Sequence, residues 1–235
     1  LKANIRLSDI IRRSSPVRLS GTIESDNLNI GRIIGSDMIG PATISTGLSA
    51  TLGKDISVDM DSLLIDRLHL NGYDYRDIQA KGSYDSNSMN GTVISKDPNL
   101  NFIFQGGYAK SEKSHNTVYK FDASIGHADL NAINIDKRGK SIVQLRTNAN
   151  FKRTGSGSIL GRIDVGEIML ENKGGRYDVG DIVITSHSSN NRYNARLHSR
   201  FADATYSGSE SIDKCFQDFY NIILKNEIPA LTDGR

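Results

Sequence analysis

Apolar and polar residues alternate along much of this chain with a period of two. Between Val143 and Lys152 every odd-numbered residue is apolar or threonine, and every even-numbered residue is polar or charged. The same alternation runs from Tyr193 to Phe201. Successive side chains of a strand point to opposite faces of a sheet, so the pattern predicts β-strands with one apolar and one solvated face. Further strands are predicted at residues 18–25, 45–52, 56–60, 64–70, 77–84, 91–95, 100–104, 119–125, 161–170 and 181–186.

Turn-forming residues separate these predicted strands. Asn71-Gly72 and Asn90-Gly91 have the residue types that adopt the positive φ angles of tight hairpins. Asp97-Pro98-Asn99 predicts another turn, and residues 173–175 and 188–191 are candidate hairpin tips. Strands joined by such short connections are antiparallel neighbours, so the chain is predicted to be an all-β, mainly antiparallel meander.

The chain also repeats itself, with weak identity, about a hundred residues apart. The offset is 102 or 104 in the matched segments, and 100 for the pair Leu68 and Ile168. The segments are 21–29 with 123–131, 73–78 with 177–182, and 104–106 with 206–208. Internal repetition predicts an elongated, modular architecture, with about six or seven strands in each repeat.

These signals divide the chain into a lead-in at 1–16, a first β repeat at 17–118, a second at 119–208, and a C-terminal helix and tail at 209–235. The predicted helix carries one apolar stripe and could cover a free edge of the sheet. Short helical turns are predicted at 8–13 and after Asn29 and Asn131. The stripe consists of Ile212, Cys215, Phe216, Phe219 and Ile223.

Composition excludes several classes of protein. The 235 residues include 29 basic and 27 acidic side chains, a net charge of +2 that offers no electrostatic reason to expect nucleic acid. The single cysteine, Cys215, permits no internal disulfide. No apolar run approaches the ~18–20 residues of a membrane-spanning helix, and no signal peptide is visible. Because the chain begins with Leu1, we expect it to be part of a longer protein.

Three segments resemble chemical motifs but have simpler explanations. Gly155–Gly161 is glycine-rich like a phosphate-binding loop, yet no helix pattern follows it, so a flexible loop is expected. Asp59-Met60-Asp61 resembles the start of a calcium loop without its glycine and terminal glutamate. Cys215 lies on the apolar stripe of the predicted helix, where a buried core residue is a simpler interpretation than a nucleophile.

The remaining polar residues form no recognisable catalytic set. No two of the five histidines are spaced like metal ligands, so neither a metal nor a cofactor is expected. A basic ladder on one predicted strand face consists of Arg192, Arg196 and Arg200. We interpret this ladder as a solvated face in preference to a phosphate site. Hydrolysis of a glycosidic bond needs two carboxyl groups at a defined distance, which the fold determines and the sequence pattern does not. The candidates for such a pair are Asp66, Asp74, Asp77, Glu167 and Asp181. The chain is therefore not expected to be an enzyme.

The apolar strand faces are the remaining candidate site. They predict either ordinary core packing, which patterning alone favours, or the lining of a groove for acyl chains. The proposed lining residues are Leu48, Ala50, Leu52, Leu68, Leu70, Ile78, Ala80, Tyr84, Val93, Leu100, Phe102, Phe104, Phe121, Ala123, Ile125, Val143, Leu145, Ala149, Phe151, Ile182, Ile184, Leu197 and Phe201.

Four segments resemble the TamB proteins of the AsmA-like group, in particular those of Bacteroidetes. The strongest resemblance is Asn90–Gly106, which is similar to a strand–DPNL–strand hairpin of that family. The others are Ser20–Gly31, Leu68–Ile78 and Phe121–Ala132. The similarity covers roughly residues 17–210, and the second repeat lacks a DPNL element. The motifs are structural, so no functional residue is carried over.

The resemblance implies a long sheet curled into a taco-shaped groove in the periplasm, attached to the inner membrane by an anchor that this chain lacks. It implies transport of phospholipid between the inner and outer membranes, or assembly of outer-membrane proteins with an Omp85-class barrel partner. The alternative is a closed β-sandwich that binds carbohydrate or mediates adhesion at the bacterial surface. An open apolar trough would favour the first interpretation, and two sealed cores the second.

Overall fold

The described residues form one antiparallel β-sheet. The computed structural model describes residues 2–8, 16–29, 31–32, 35–36, 38–190, 192–211 and 214 of the chain. Thirteen strands lie side by side in the order of the sequence, and each pairs only with its predecessor and successor. The all-β antiparallel prediction is therefore confirmed, and the sheet is elongated, open and at most weakly curled.

The strands are long and the connections are mostly short. Their bounds are β1 Lys2–Ser8, β2 Val17–Asn29, β3 Ile39–Leu52, β4 Ser57–Leu70, β5 Tyr73–Asp85, β6 Ser88–Asp97, β7 Leu100–Lys110, β8 Thr117–Asp129, β9 Ser141–Arg153, β10 Ile159–Asn172, β11 Gly175–Ser189, β12 Arg192–Ser199 and β13 Asp203–Gly208.

Several strand boundaries differ from the predicted ones. The segments 56–60 and 64–70 belong to one strand, β4, which continues through irregular pairing between them. No strand was predicted at β1 or β13. β12 ends at Ser199, so Phe201 lies in the turn before β13 with 68% of its surface exposed, and its assignment to a strand face was wrong.

The two Asn-Gly dipeptides behave differently. Asn71-Gly72 forms the predicted β4–β5 turn, with φ angles of 52° and 75°. Asn90-Gly91 lies inside β6, so the turn predicted there was wrong. A Cβ atom on Gly91 would lie 2.9 Å from the carbonyl oxygen of Lys81. Gly91 therefore permits the close approach of β5 and β6, and it is not needed for a positive φ.

The sheet encloses no large core. Among the described residues, every substantial contact between elements joins consecutive strands, so no second sheet packs on the first. Only six apolar side chains of the described residues are buried: Ala42, Tyr75, Ala128, Ile133, Ala149 and Ile168. The closed sandwich that was the alternative architecture is not formed by this part of the chain.

The sequence repeat corresponds to a six-strand step across the sheet. Cross-strand pairing places Ile23 of β2 in one row with Ala123 of β8, 100 residues later. Ala80 of β5 and Ile182 of β11 share that row, 102 residues apart. The sequence matches thus joined equivalent strands, but those of 21–29 and 73–78 were displaced by two residues and that of 104–106 by four, since an even slip preserves the alternation.

Some predictions fall outside the described residues. The segment predicted to form the C-terminal helix lies almost wholly outside the described residues, as does most of the helical turn predicted at 8–13. Gly31 and Arg32 are helical, and residues 130–134 form turns, close to where helical turns were predicted. No helix in the described part of the chain is long and apolar enough to cross a bilayer.

Candidate functional site

One face of the sheet carries almost all of the apolar side chains, and we call it the apolar face. It consists of the rows of cross-strand partners that contain Phe104 and the alternate residues of β7, such as Phe102 and Tyr108. One such row reads Ile23, Thr46, Leu63, Ala80, Val93, Phe104, Ala123, Thr147, Val165, Ile182 and Ser199. The proposed lining residues lie on this face, with the exception of Phe201.

The apolar face also includes residues that were not proposed from the sequence. Most of them lie inside the predicted strands, on the same alternating face as the proposed residues, and only Leu63, Met89 and Tyr108 lie outside the predicted bounds. Most are partly exposed, and they include Leu19, Ile23, Val58, Met60, Leu63, Ile65, Met89, Tyr108, Tyr119, Ile163 and Val165. The alternation was therefore sufficient to place most of these residues on the apolar face, and the extent of the strand was missing only for Leu63, Met89 and Tyr108.

Charged residues are nearly absent from this face. Across β2 to β13, the rows from Val17 and Lys110 at one end of the strands to Leu28 and Leu100 at the other contain only three. These are Asp97, Lys110 and Arg153. Since side chains on the opposite face are largely polar, the sheet is amphipathic over its whole width.

β-Bulges keep the apolar face continuous near one end of the strands. In β2, β8 and β10 the step between apolar-face residues is three, opposite a step of two in a neighbouring strand. Asn27 and Glu167 take positive φ angles of 56° and 54° at these bulges. In a regular strand, a step of three residues would move the next side chain to the opposite face. The bulge accommodates the extra residue, so the next apolar side chain stays on the apolar face. The bulged steps are Ser25–Leu28, Ile125–Ala128 and Val165–Ile168.

Two long connections lie at this bulged end of the apolar face, which we call the covered end. Insert 1 joins β2 to β3 (residues 30–38), and insert 2 joins β8 to β9 (residues 130–140). On this face Ala42 and Ala128 are 0% and 2% exposed, whereas Ala80 and Ala123, farther along the strands, remain partly exposed. Ala149, which pairs with Phe121 nearer the open end, is also buried, at 1% exposure. Ile133 of insert 2 is 0% exposed. The covered end is therefore closed at Ala42 and Ala128, but not at Leu170 and Tyr177 of β10 and β11, which are 39% and 49% exposed.

Each insert begins with the same local device. The side-chain oxygen Oδ1 of Asn29 accepts a hydrogen bond from the backbone N–H of Arg32 at 3.0 Å. Oδ1 of Asp129 accepts from the N–H groups of Asn131 and Ala132, at 3.1 and 3.0 Å. Such side-chain oxygens satisfy the free N–H groups at the start of a helical turn. The two repeats thus share the connection as well as the strands.

The β4–β5 turn links the inserts. The backbone N–H of Asn71 donates to the carbonyl oxygen of Met38 in insert 1 at 2.8 Å. The amides of Asn71 and Asn134 each donate to the other's backbone carbonyl oxygen at 3.1 Å. Insert 2 therefore reaches past the β6–β7 hairpin to the β4–β5 turn. Together the three segments form a wall along the covered end.

The buried carboxylate of Asp97 holds the β6–β7 turn in place at the covered end. Asp97 is 1% exposed and accepts hydrogen bonds from the Tyr73 hydroxyl at 2.7 Å and from the backbone N–H groups of Arg76 and Asn99, both at 2.8 Å. Burial, followed by the hydrogen bond to Asp97, raises the pKa of Tyr73. The predicted Asp97-Pro98-Asn99 turn is confirmed, and its aspartate has a structural role.

Aromatic side chains dominate the centre of the apolar face. Phe104 and Phe121 lie 5.7 Å apart between ring centroids, Tyr119 stacks on Phe151 at 5.0 Å, and Tyr108 lies 6.1 Å from Tyr119. Glycines surround this aromatic cluster; a Cβ on Gly106 would lie 2.4 Å from the Cβ of Phe121. The glycine thus leaves the space that the phenylalanine needs.

The arginine ladder of β12 is engaged within the polar face and the adjoining turn. Arg196 pairs with Asp203 at 3.5 Å, Arg200 with Asp178 at 3.4 Å, and Arg192 donates to the carbonyl oxygen of Ser207. The hydrogen bond from His198 lowers the pKa of Asp203. These contacts fit the interpretation of the ladder as a solvated face.

The motifs that resembled chemical sites have local structural explanations. Residues 154–158 form a turn in which the N–H of Thr154 donates to the carbonyl oxygen of Ser158, and a strand follows it. Asp59, Met60 and Asp61 lie within β4. Within the described part of the chain, no three His, Cys, Asp or Glu side chains are grouped to hold a metal ion. Cys215 lies outside the described residues.

No family model, curated protein or solved structure matches this chain.

Proposed function

We propose that the apolar face binds the acyl chains of phospholipids and lets them move across the sheet, in the manner of the AsmA/TamB-like proteins that the sequence resembles. The observation that carries the proposal is the nearly uncharged apolar face that continues across the open sheet and, beyond the covered end, has no second sheet packed on it in the described residues. A large exposed apolar surface of this kind is typical of an interaction site.

Exposure along this face supports an apolar ligand. At the end of the strands opposite the inserts, which we call the open end, Leu52, Tyr84 and Met89 are 41%, 40% and 44% exposed. Transfer of a methylene group from water to an apolar surface is worth about 0.8 kcal/mol, so a two-tailed lipid gains from contact with several strands. Non-directional contacts of this type need no catalytic residues.

The wider setting is part of the same proposal. The chain would work in the periplasm, as a segment of a longer protein anchored in the inner membrane, and carry phospholipid between the two membranes. Assistance to outer-membrane protein assembly with an Omp85-class barrel would follow from the same resemblance. The open ladder of repeats supports this setting because six-strand units can be added without closing the sheet.

Lipid photocrosslinking tests the proposal with a matched pair of variants. Met89 lies on the apolar face and Asn90, the next residue, on the polar face; both are exposed. Met89→Arg should reduce crosslinking to a photoreactive diacylglycerol about tenfold, which corresponds to ~1.4 kcal/mol, because it places a charge among the acyl chains of a lipid that has no phosphate to pair with it. Asn90→Arg should leave crosslinking unchanged.

Circular dichroism controls for folding in both variants. Equal crosslinking of Met89→Arg, Asn90→Arg and the unchanged protein would overturn the proposal, as would no crosslinking at all. Binding of soluble polysaccharide by a protein that binds no lipid would instead support the carbohydrate-binding alternative.

A further inference from the structure

Two cations occupy apolar-face positions at the open end. Lys110, the last residue of β7, pairs with Thr117 of β8, and Thr117 pairs with Arg153, the last residue of β9. The three residues therefore share one row, and the cations are separated by a single intervening strand. No other basic residue occupies an apolar-face position between β2 and β13.

Neither cation is neutralised by a carboxylate of the described residues. The ion pairs there involve other side chains, and Glu112, two residues from Lys110, accepts a hydrogen bond from the Asn87 amide at 2.9 Å. Lys110 and Arg153 are both exposed. On the polar face Arg146, Arg162 and Arg196 have acidic partners, whereas Lys120 and Lys152 are in no ion pair with a described residue. What distinguishes Lys110 and Arg153 is therefore their position on the apolar face.

The two cations border the aromatic cluster. The Nζ atom of Lys110 lies 5.3 Å from the centroid of the Tyr108 ring, and Arg153 is two residues along β9 from Phe151. Tyr108, Tyr119 and Phe151 form the neighbouring row of the same face. An amphiphile that laid its tails on these rings would place an anionic headgroup beside Lys110, Thr117 and Arg153.

We infer that Lys110 and Arg153, with the Thr117 hydroxyl between them, form a site for the phosphate of a phospholipid whose acyl chains lie on the aromatic cluster. The inference rests on the proposed lipid-binding function and adds an orientation: headgroup at the open end, tails towards the covered end. Charge complementarity selects the occupant, since a phosphate supplies the negative charge that no described carboxylate supplies. The covered end offers no equivalent, because its one charged apolar-face residue is the acidic Asp97.

A comparison of two lipids with identical tails tests the inference. Fluorescent phosphatidylglycerol and fluorescent diacylglycerol would be titrated with the unchanged protein and with the double variant Lys110→Gln/Arg153→Gln, and anisotropy recorded. We expect the double variant to bind phosphatidylglycerol about tenfold more weakly, or ~1.4 kcal/mol, and diacylglycerol equally well. Raising ionic strength from about 0.1 to 1 M should reproduce part of the loss, since the Debye length falls from about 10 to about 3 Å.

Lys120→Gln is the matched control, since Lys120 of β8 is exposed on the polar face between Tyr119 and Phe121. It should bind both lipids like the unchanged protein. Unchanged phosphatidylglycerol affinity in the double variant would overturn the headgroup site while the lipid-binding function stands. An equal loss for both lipids would also overturn it, because the cations would then matter only for packing. Binding of neither lipid by the unchanged protein would overturn both proposals.

Discussion

The covered and open ends of the apolar face are built by the same strands and differ in what lies over them. At the covered end, Ala42, Tyr75, Ala128 and Ile168 are nearly inaccessible and Ile133 of insert 2 is fully buried, although Leu170 and Tyr177 at the same end of β10 and β11 are 39% and 49% exposed. At the open end, Leu52, Tyr84, Met89 and Ile159 keep 37–44% of their surface exposed. Alternation alone therefore does not decide whether an apolar residue becomes core or surface.

The difference suggests a division of work along each strand. A single sheet without a second layer gains little from burial, so the covered end supplies the packing that a one-layered sheet otherwise lacks. The open end leaves aromatic and aliphatic side chains free to meet a ligand. We expect substitutions at the covered end to change stability, and substitutions at the open end to change lipid binding.

The largest expected effect is at Ile133. Ile133→Ala should lower the free energy of unfolding by about 2–4 kcal/mol, because it removes a fully buried side chain and leaves a cavity. Ile135→Ala, in the same insert but 64% exposed, and Ile159→Ala at the open end should each lower it by less than about 1 kcal/mol. Urea unfolding followed by circular dichroism measures all three. Equal losses would remove the distinction between the two ends.

The second effect compares two carboxylates that anchor turns at opposite ends. Asp97→Asn should destabilise the protein by about 2–3 kcal/mol, because an amide cannot replace both oxygens that accept from Tyr73, Arg76 and Asn99. Asp85→Asn should have a much smaller effect, although Asp85 also accepts from Asn87 and Ser88, since water can replace these exposed bonds. Thermal unfolding of the two variants compares them, and a larger loss for Asp85→Asn would contradict the comparison.

A smaller effect is expected at the link between insert 2 and the β4–β5 turn. Asn134→Ala removes the hydrogen bond from the Asn134 amide to the backbone carbonyl oxygen of Asn71, at a cost of about 1 kcal/mol. Hydrogen exchange should speed up locally, in the β4–β5 turn and insert 2. Asn87→Ala, which removes a single contact to Glu112 at the open end, serves as the control. Unchanged exchange in Asn134→Ala would show that the wall does not depend on this link.

The smallest effect concerns pH, and here the two ends should agree. The hydrogen bond from His69 lowers the pKa of Asp74 at the covered end, and that from Ser88 lowers the pKa of Asp85 at the open end. The folded state binds these protons less tightly than the unfolded state. The stabilisation is thus complete above the ordinary carboxyl pKa of 3.8 and is lost as the pH falls through the lowered values.

Asp74→Asn and Asp85→Asn should each make the urea midpoint slightly less sensitive to acid below about pH 5, by similar amounts. Urea titrations at a series of pH values measure this sensitivity against that of the unchanged protein. Different slopes for the two variants would mean that the ends differ in surface electrostatics as well as in burial.

The fold was largely predictable, and its errors have local causes. Alternation predicted strands within β2 to β12 and the face of nearly every proposed lining residue. It failed at Phe201, because β12 ends at Ser199 and nothing in the alternation marks that end. It failed at Asn90-Gly91 because an Asn-Gly pair also suits two closely approaching strands. The sequence matches joined equivalent strands, and slips of two or four residues escaped notice because an even slip keeps every side chain on its face.

The candidate site was predictable as a surface but not as a site with two different ends. The sequence pattern could not show that β7 and β9 bring Lys110 and Arg153 into one row, since their pairing runs through β8. It also could not show that insert 2 reaches Asn71, which precedes Asn134 by 63 residues. Such relations depend on register and on the path of the connections.

By itself the sequence determined that this protein is an antiparallel β meander with an apolar and a polar face, because a period of two is a local property of the chain. The tertiary structure decided that the strands form one open sheet instead of a closed sandwich. It also decided which apolar residues are covered, since cover depends on the bulges and inserts that bring distant segments over the sheet. Local periodicity assigns a residue to a face, and only the three-dimensional path of the chain determines what meets that face.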